Sequence, residues 1–219
     1  MKNSESSQNP AERRLLAVGD IHGCLDLLQQ LMQQIVPCAD DQVIFLGDYI
    51  DRGPDSRGVI DYLLNFRQRC PQTVFLKGNH EAMLLDFLAG HERLRYLLNG
   101  GETTLYGYRE KGKLVIPQPH LQFFRDLRLY FETENHIFVH AGLRPGISPQ
   151  NQREEDLLWI REDFLKSDYR WGKTIVFGHT PMRKPYLKPE RIGLDTGAAY
   201  GRSLSCCDVM RRKIWTVRA

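Results

Sequence analysis

The chain has 219 residues, 42% of them hydrophobic and 26% charged, with a formal net charge of +3. That length and balance suit one sizeable globular domain with its own core. The lysines and arginines are scattered, with no basic tail or stripe to argue for nucleic-acid affinity, and no apolar run approaches a membrane span.

Residues 1–12, MKNSESSQNPAE, are polar and lack an apolar core, so a disordered tail is expected there rather than an export signal or anchor. Residues 13–219 are expected to form a single domain. LLAVG (15–19) reads as a strand and CLDLLQQLMQQI (24–35) as a helix with leucines at helical spacing. QVIFLG (42–47) and TVFLKG (73–78) repeat the strand pattern, and SRGVIDYLLNFRQR (56–69) and HEAMLLDFLA (80–89) the helical one. This alternation predicts βαβ units around a parallel core. Residues 90–132, less regular and rich in aromatics, are expected to be a mostly helical insertion. HIFVH (136–140), a helix over 153–166 and KTIVFGHT (173–180) follow. The closing strands RIGLD (191–195), SLSCCDV (203–209) and KIWTVR (213–218) predict a second, largely antiparallel sheet.

Five segments put a metal-capable side chain directly after an apolar strand: VGDIHG (18–23), LGDYIDRG (46–53), KGNHE (77–81), VHAG (139–142) and FGHT (177–180). Ligands of α/β sheets gather beyond the carboxyl ends of the strands. Six candidate metal ligands result: Asp20, His22, Asp48, Asn79, His140 and His179. Two carboxylates against three imidazoles and an amide suit Mn²⁺, Fe or Zn²⁺ better than Ca²⁺. Six donors are too many for one catalytic ion that must leave room for water or substrate, whereas two ions sharing a carboxylate use them all. Any one of these residues alone would read as a helix cap or a core histidine; the repetition at five strand ends is the signal.

GDIHG, GDYIDRG and GNHE, followed by HAG and GHTP, resemble the signature blocks of metallophosphoesterases of the phosphoprotein phosphatase type. The resemblance runs from about Leu15 to Val217. LLNGGETTLYG and DLLWIRE make it most similar to the bacterial and bacteriophage-type serine/threonine phosphatases. It implies an αββα sandwich of two mixed sheets with a helical insertion, and two divalent metal ions, Mn²⁺ first, with Fe or Zn as alternatives. Asp20, His22 and Asp48 would hold one ion; Asp48 would bridge to a second, completed by Asn79, His140 and His179. The implied catalytic residues are His80 as general acid, Asp51 orienting it, and Arg52 and Arg161. Arg52, Arg161, Asn79 and His80 would bind the phosphate.

The activity implied is hydrolysis of phosphoserine or phosphothreonine in proteins, through in-line attack by a hydroxide bridging the ions. A dinucleoside polyphosphate hydrolase is the nearest alternative. A phosphodiesterase or nuclease and an inactive phospho-recognition scaffold are less favoured. The expected partner is a phosphorylated protein or small phosphoester, with no nucleic acid or membrane, and the oligomeric state is open. The five cysteines lack metal-ligand spacing and the Cys206–Cys207 pair is expected to pack in a strand, so a reducing cytoplasm is the expected location. Asp55 is expected to cap the helix at Ser56 and Glu81 to steady the Asn79–His80 loop. Tyr96, Tyr106 and Tyr108 are expected in the core rather than a substrate groove. His91, His120 and His136 are assigned no role.

Overall fold

A computed structural model describes residues 13–219; the expected tail lies outside the described residues. Two five-stranded mixed sheets lie face to face with helices outside them. The first has the order β12-β11-β1-β2-β3, with β1 at Leu15–Val18, β2 at Gln42–Phe45, β3 at Val74–Phe75, β11 at Ser203–Asp208 and β12 at Lys213–Arg218. Strands β1, β2 and β3 are parallel, β11 pairs antiparallel with β1, and β12 antiparallel with β11. The second has the order β6-β7-β8-β10-β9, with β6 at Tyr130–Glu132, β7 at His136–Val139, β8 at Thr174–Phe177, β9 at Tyr186–Lys188 and β10 at Arg191–Gly193. Here β7, β8 and β10 are parallel and the edge strands antiparallel.

The layering follows from the two-residue period of a strand. On β1, Leu16 and Val18 pack under helices while Ala17 faces the other sheet. On β2, Val43 and Phe45 face helices and Ile44 the inter-sheet layer. On β8, Val176 meets that layer, and Ile175 and Phe177 pack outward against residues near Leu157 and Phe164. Cys206 and Cys207 obey the same rule, entering opposite layers, both buried.

Helix α1 (Leu25–Ile35) buries Leu27, Leu28, Leu31, Met32 and Ile35, one apolar face at helical spacing, and stops where Val36 turns left-handed. Helix α2 (Ser56–Arg69) starts as expected, with Asp55 accepting the Gly58 N–H at 2.7 Å.

Two expectations change, and the mostly helical insertion gains detail. The closing strands do not form one antiparallel sheet: β10 pairs parallel with β8, while β11 and β12 extend the first sheet. The helix expected over 153–166 is two short helices, α7 (Glu154–Trp159) and α8 (Glu162–Leu165), broken at Ile160 and Arg161. Residues 90–132 carry helix α4 (Arg93–Tyr96), a π turn (Leu97–Gly101), helix α5 (Glu102–Gly107) and helix α6 (Gln118–Arg125). They also carry a small hairpin, β4 (Arg109–Glu110) with β5 (Lys113–Leu114), and end inside β6. Among the described residues no helix is long and apolar enough to cross a membrane.

Candidate active site

The parallel strands of both sheets end on one rim. Asp20 and His22 follow β1, Asp48 to Arg52 follow β2, and Asn79 and His80 follow β3, opening helix α3 (Asn79–Leu88). From the second sheet come His140 after β7 and His179 after β8. Backbone at this rim is unusual. Of nine non-glycine residues with positive φ among those described, five are His22, Asp48, Asp51, Arg52 and His179. Each such conformation costs about 1–2 kcal/mol, and this clustering marks a site where placement outweighs local strain.

Asp48, nearly fully buried, is central. Its carboxylate lies 3.4 Å from both His22 Nε2 and His140 Nε2 and accepts the His80 backbone N–H at 3.1 Å. Asp48, His22 and His80 form one trio of converging donors, and Asp48, His140 and His179 a second. Asn79 Oδ1 lies 2.9 Å from His140 Nε2 and 2.9 Å from His179 Nδ1. Asp20 stands outside both trios, accepting the His179 backbone N–H on both oxygens.

Protonation states favour a cation here. Burial drives the His22 pKa down to about 3 and lowers those of His140 and His179, leaving neutral imidazoles. His22 gives its Nδ1–H to Ile50 O and His140 its Nδ1–H to Leu46 O, both at 2.8 Å, so each Nε2 is an acceptor. The His140 acceptor faces Asn79 Oδ1 and Asp48 Oδ1 with no proton between them. Burial alone would raise Asp48, but His140, His80, His22 and His179 around it lower its pKa overall. Asp20 is pushed well up by burial and by Asp195 and Asp48, and burial takes Asp195 to about 6. Crowded carboxylates, neutral imidazoles and an amide oxygen are a donor set that fits divalent cations, and Asp48 belongs to both trios.

Beside these donors, His80 Nδ1 bonds Asp51 Oδ2 at 2.7 Å, with both residues fully buried. Burial works against the charged ring, yet Asp48 and the Asp51 hydrogen bond hold the His80 pKa above its ordinary value. Its Nε2 is buried without a hydrogen-bond partner. Arg52 Nη1 donates to His22 Nε2 at 2.8 Å and Arg161 Nε donates to His179 Nε2 at 3.1 Å, one guanidinium at each end of the cluster. All ten predicted residues therefore lie within one connected group. The break between α7 and α8 is what turns Arg161 toward His179.

Glu81 does steady its loop. It accepts backbone N–H groups from Asp48 (3.0 Å), Tyr49 (2.8 Å) and Gly78 (2.9 Å). Tyr96 and Tyr108 are buried, but Tyr106 is 78% exposed, a correction that follows from its outward position on α5. Sequence reasoning missed Asp195, which follows β10 as the other donors follow their strands. It also missed Tyr96 and Thr104 as partners of Asp51, at 2.8 and 2.6 Å.

The family model for calcineurin-like phosphoesterases matches residues 13–204. The chain belongs to that family. This calcineurin-like phosphoesterase is a hydrolase of the metallophosphoesterase class, as its donor set agrees. It is 31% identical to serine/threonine-protein phosphatase 1 of Salmonella typhimurium strain LT2, over 88% of this chain and 90% of the relative. It is 29% identical to the asymmetrical bis(5'-nucleosyl)-tetraphosphatase PrpE of Anoxybacillus flavithermus, over 86% of this chain and 87% of that protein. A crystal structure of a candidate diadenosine tetraphosphatase superposes with a TM-score of 0.75 at 25% identity, covering 95% of each chain.

Proposed function

We propose that this phosphoesterase hydrolyses phosphoserine and phosphothreonine monoesters in proteins, with residues 13–219 acting as one domain in a reducing cytoplasm. Its five cysteines are all free thiols, which agrees with that location. Asp20, His22 and Asp48 would hold one divalent ion and Asp48, Asn79, His140 and His179 the other, Mn²⁺ first among the candidates. When bound, such a pair supplies positive charge for phosphoryl oxygens and lowers the pKa of water. Arg52 and Arg161 would orient the phosphoryl group from opposite ends by charge-assisted hydrogen bonds, with Asn79 and His80 completing its contacts. His80 would hold its proton at Nε2 and pass it to the departing oxygen.

The observation that carries this reading is the Asp51–His80 pair, 2.7 Å apart, with an unpartnered Nε2 in the site. A serine or threonine alkoxide is a poor leaving group and needs that proton; a phosphate leaving from an anhydride needs it less. The Salmonella relative supports the same choice. The second reading, dinucleoside polyphosphate hydrolysis, is favoured by the PrpE relatives and the 0.75 TM-score neighbour. The deciding assay sets kcat/KM of the Mn²⁺-loaded protein on a phosphoserine peptide against diadenosine tetraphosphate, with p-nitrophenyl phosphate and a phosphotyrosine peptide as references. Preference for the phosphoserine peptide is expected. Preference for the dinucleotide reverses the reading, and inertness toward all four with ions bound leaves a phospho-recognition scaffold.

A further inference from the structure

The segment YLLNGGETT (96–104), inside the insertion, packs against the Asp51–His80 pair and against Arg52. Asp51 is fully buried, and its carboxylate accepts three hydrogen bonds. Oδ2 takes the His80 Nδ1–H; Oδ1 takes the Tyr96 hydroxyl at 2.8 Å and the Thr104 hydroxyl at 2.6 Å. The direction of each bond is fixed. Burial, then the nearby Asp51 charge, pushes the Tyr96 pKa far upward, so this phenol stays protonated and donates. Thr104 has one proton, directed at Asp51, so the Ser56 hydroxyl 2.9 Å behind it donates to Thr104. The Asp51 backbone N–H closes the network onto the same two hydroxyls.

Tyr96 and Thr104 flank the Leu97–Gly101 turn, and two glycines let that turn approach. Gly100 has φ +93°, its carbonyl accepts the Arg52 N–H at 3.2 Å, and a Cβ there would meet Arg52 Cγ at 2.9 Å. A Cβ on Gly101 would lie 2.6 Å from the Tyr96 ring. Tyr96, Thr104 and Ser56 are each at most 3% exposed, so no water competes for these bonds.

We propose that Tyr96 and Thr104 are positioning residues for the Asp51–His80 pair, and that the insertion acts as a clamp on proton delivery. A carboxylate bound only to His80 can rotate about its Cβ–Cγ bond and tilt the imidazole. Pinning Oδ1 with two donors fixes its plane, so His80 Nε2 keeps one direction. The inference rests on the reading of His80 as the acid, and it deepens that reading by naming what aims the acid.

The test is steady-state kinetics on p-nitrophenyl phosphate, phenyl phosphate and a phosphoserine peptide, with His80→Asn as reference. Tyr96→Phe and Thr104→Val keep ring and volume. Each is expected to lower kcat on the peptide about tenfold and on p-nitrophenyl phosphate no more than about twofold, with KM nearly unchanged. Phenyl phosphate falls between, Thr104→Ser restores the rate, and His80→Asn shows the same gradient at about a hundredfold. Losses independent of the leaving group, or confined to KM, overturn the clamp. If His80→Asn shows the gradient and the two variants do not, the clamp alone fails. If His80→Asn shows none, the clamp falls together with the acid assignment. Should Thr104→Val not fold, Tyr96→Phe decides alone.

Discussion

Asp41 and Asp195 are both buried carboxylates, at 2% and 4% exposure, with opposite electrostatics. Asp195 faces other acids across the rim, and burial raises its pKa. Asp41, far from the site, takes a two-pronged bond from Arg14 Nε and Nη2 (3.0 and 2.5 Å) and the Cys38 N–H (2.8 Å). Burial opposes its ionisation, but Arg14 and Cys38 outweigh burial and its pKa is depressed. A carboxylate with a folded pKa below its unfolded value, about 3.9, stabilises the fold above that pH. The contribution is lost as pH falls through the folded pKa. Asp41→Asn is therefore expected to cost about 2 kcal/mol at pH 7 by urea denaturation, with the gap to wild type narrowing as pH falls below about 4 and on through the depressed folded pKa. A gap that stays constant over that range contradicts the assignment. At this scale the donors were legible in the sequence because each directly follows an apolar strand. Asp195 in GLDTG carries the same signal behind β10 and was readable by the same rule. Tyr96 and Thr104 were not, because they lie 45 and 53 residues from Asp51 and only the folded turn brings their hydroxyls to it.

At the scale of elements, the insertion and the α7–α8 break do what the strands cannot: they bring side chains over the open end of the rim. Arg95 from α4 lies over the Trp159 ring at 4.4 Å, and Trp159 packs edge-on to His179 at 5.9 Å, linking the insertion to the second sheet. The turn at Gly100 fixes Arg52 from the other side. Gly100→Ala forces a left-handed alanine into Arg52, at about 1 kcal/mol of backbone strain besides the clash. It is expected to raise KM for p-nitrophenyl phosphate about tenfold, since a displaced arginine binds phosphate less well. An unchanged KM would show that the turn does not hold Arg52. Local periodicity revealed the helices over 24–35 and 56–69 well, since each has one apolar face. It could not show which sheet the closing strands join. The β11 partner is β1, with Leu16 opposite Asp208, and pairing across nearly the whole chain leaves no local trace. The break at Arg161 was equally hidden, because DLLWIREDFL reads as one continuous amphipathic helix.

At the scale of the molecule, two sheets with parallel centres point their carboxyl ends the same way, so residues from Asp20 to His179 meet on one rim. Strand alternation seals that rim from behind with the inter-sheet layer of Ala17, Ile44, Leu46, Phe138, Val176 and Leu194, which keeps the donors in a low-dielectric setting. Relatives named as a protein phosphatase and as a nucleosyl-tetraphosphatase resemble this chain about equally over most of its length, at 31% and 29% identity. The proposed site would hold two cations among its six donors, with Asp48 shared between them. The direct measurement is metal content by mass spectrometry on Mn²⁺-loaded, dialysed protein, alongside its phosphatase rate. The account predicts about two ions per chain in the active wild type and loss of both ions and rate in Asp48→Ala. Full activity with one ion or none, or an Asp48→Ala protein that keeps both ions, would contradict it.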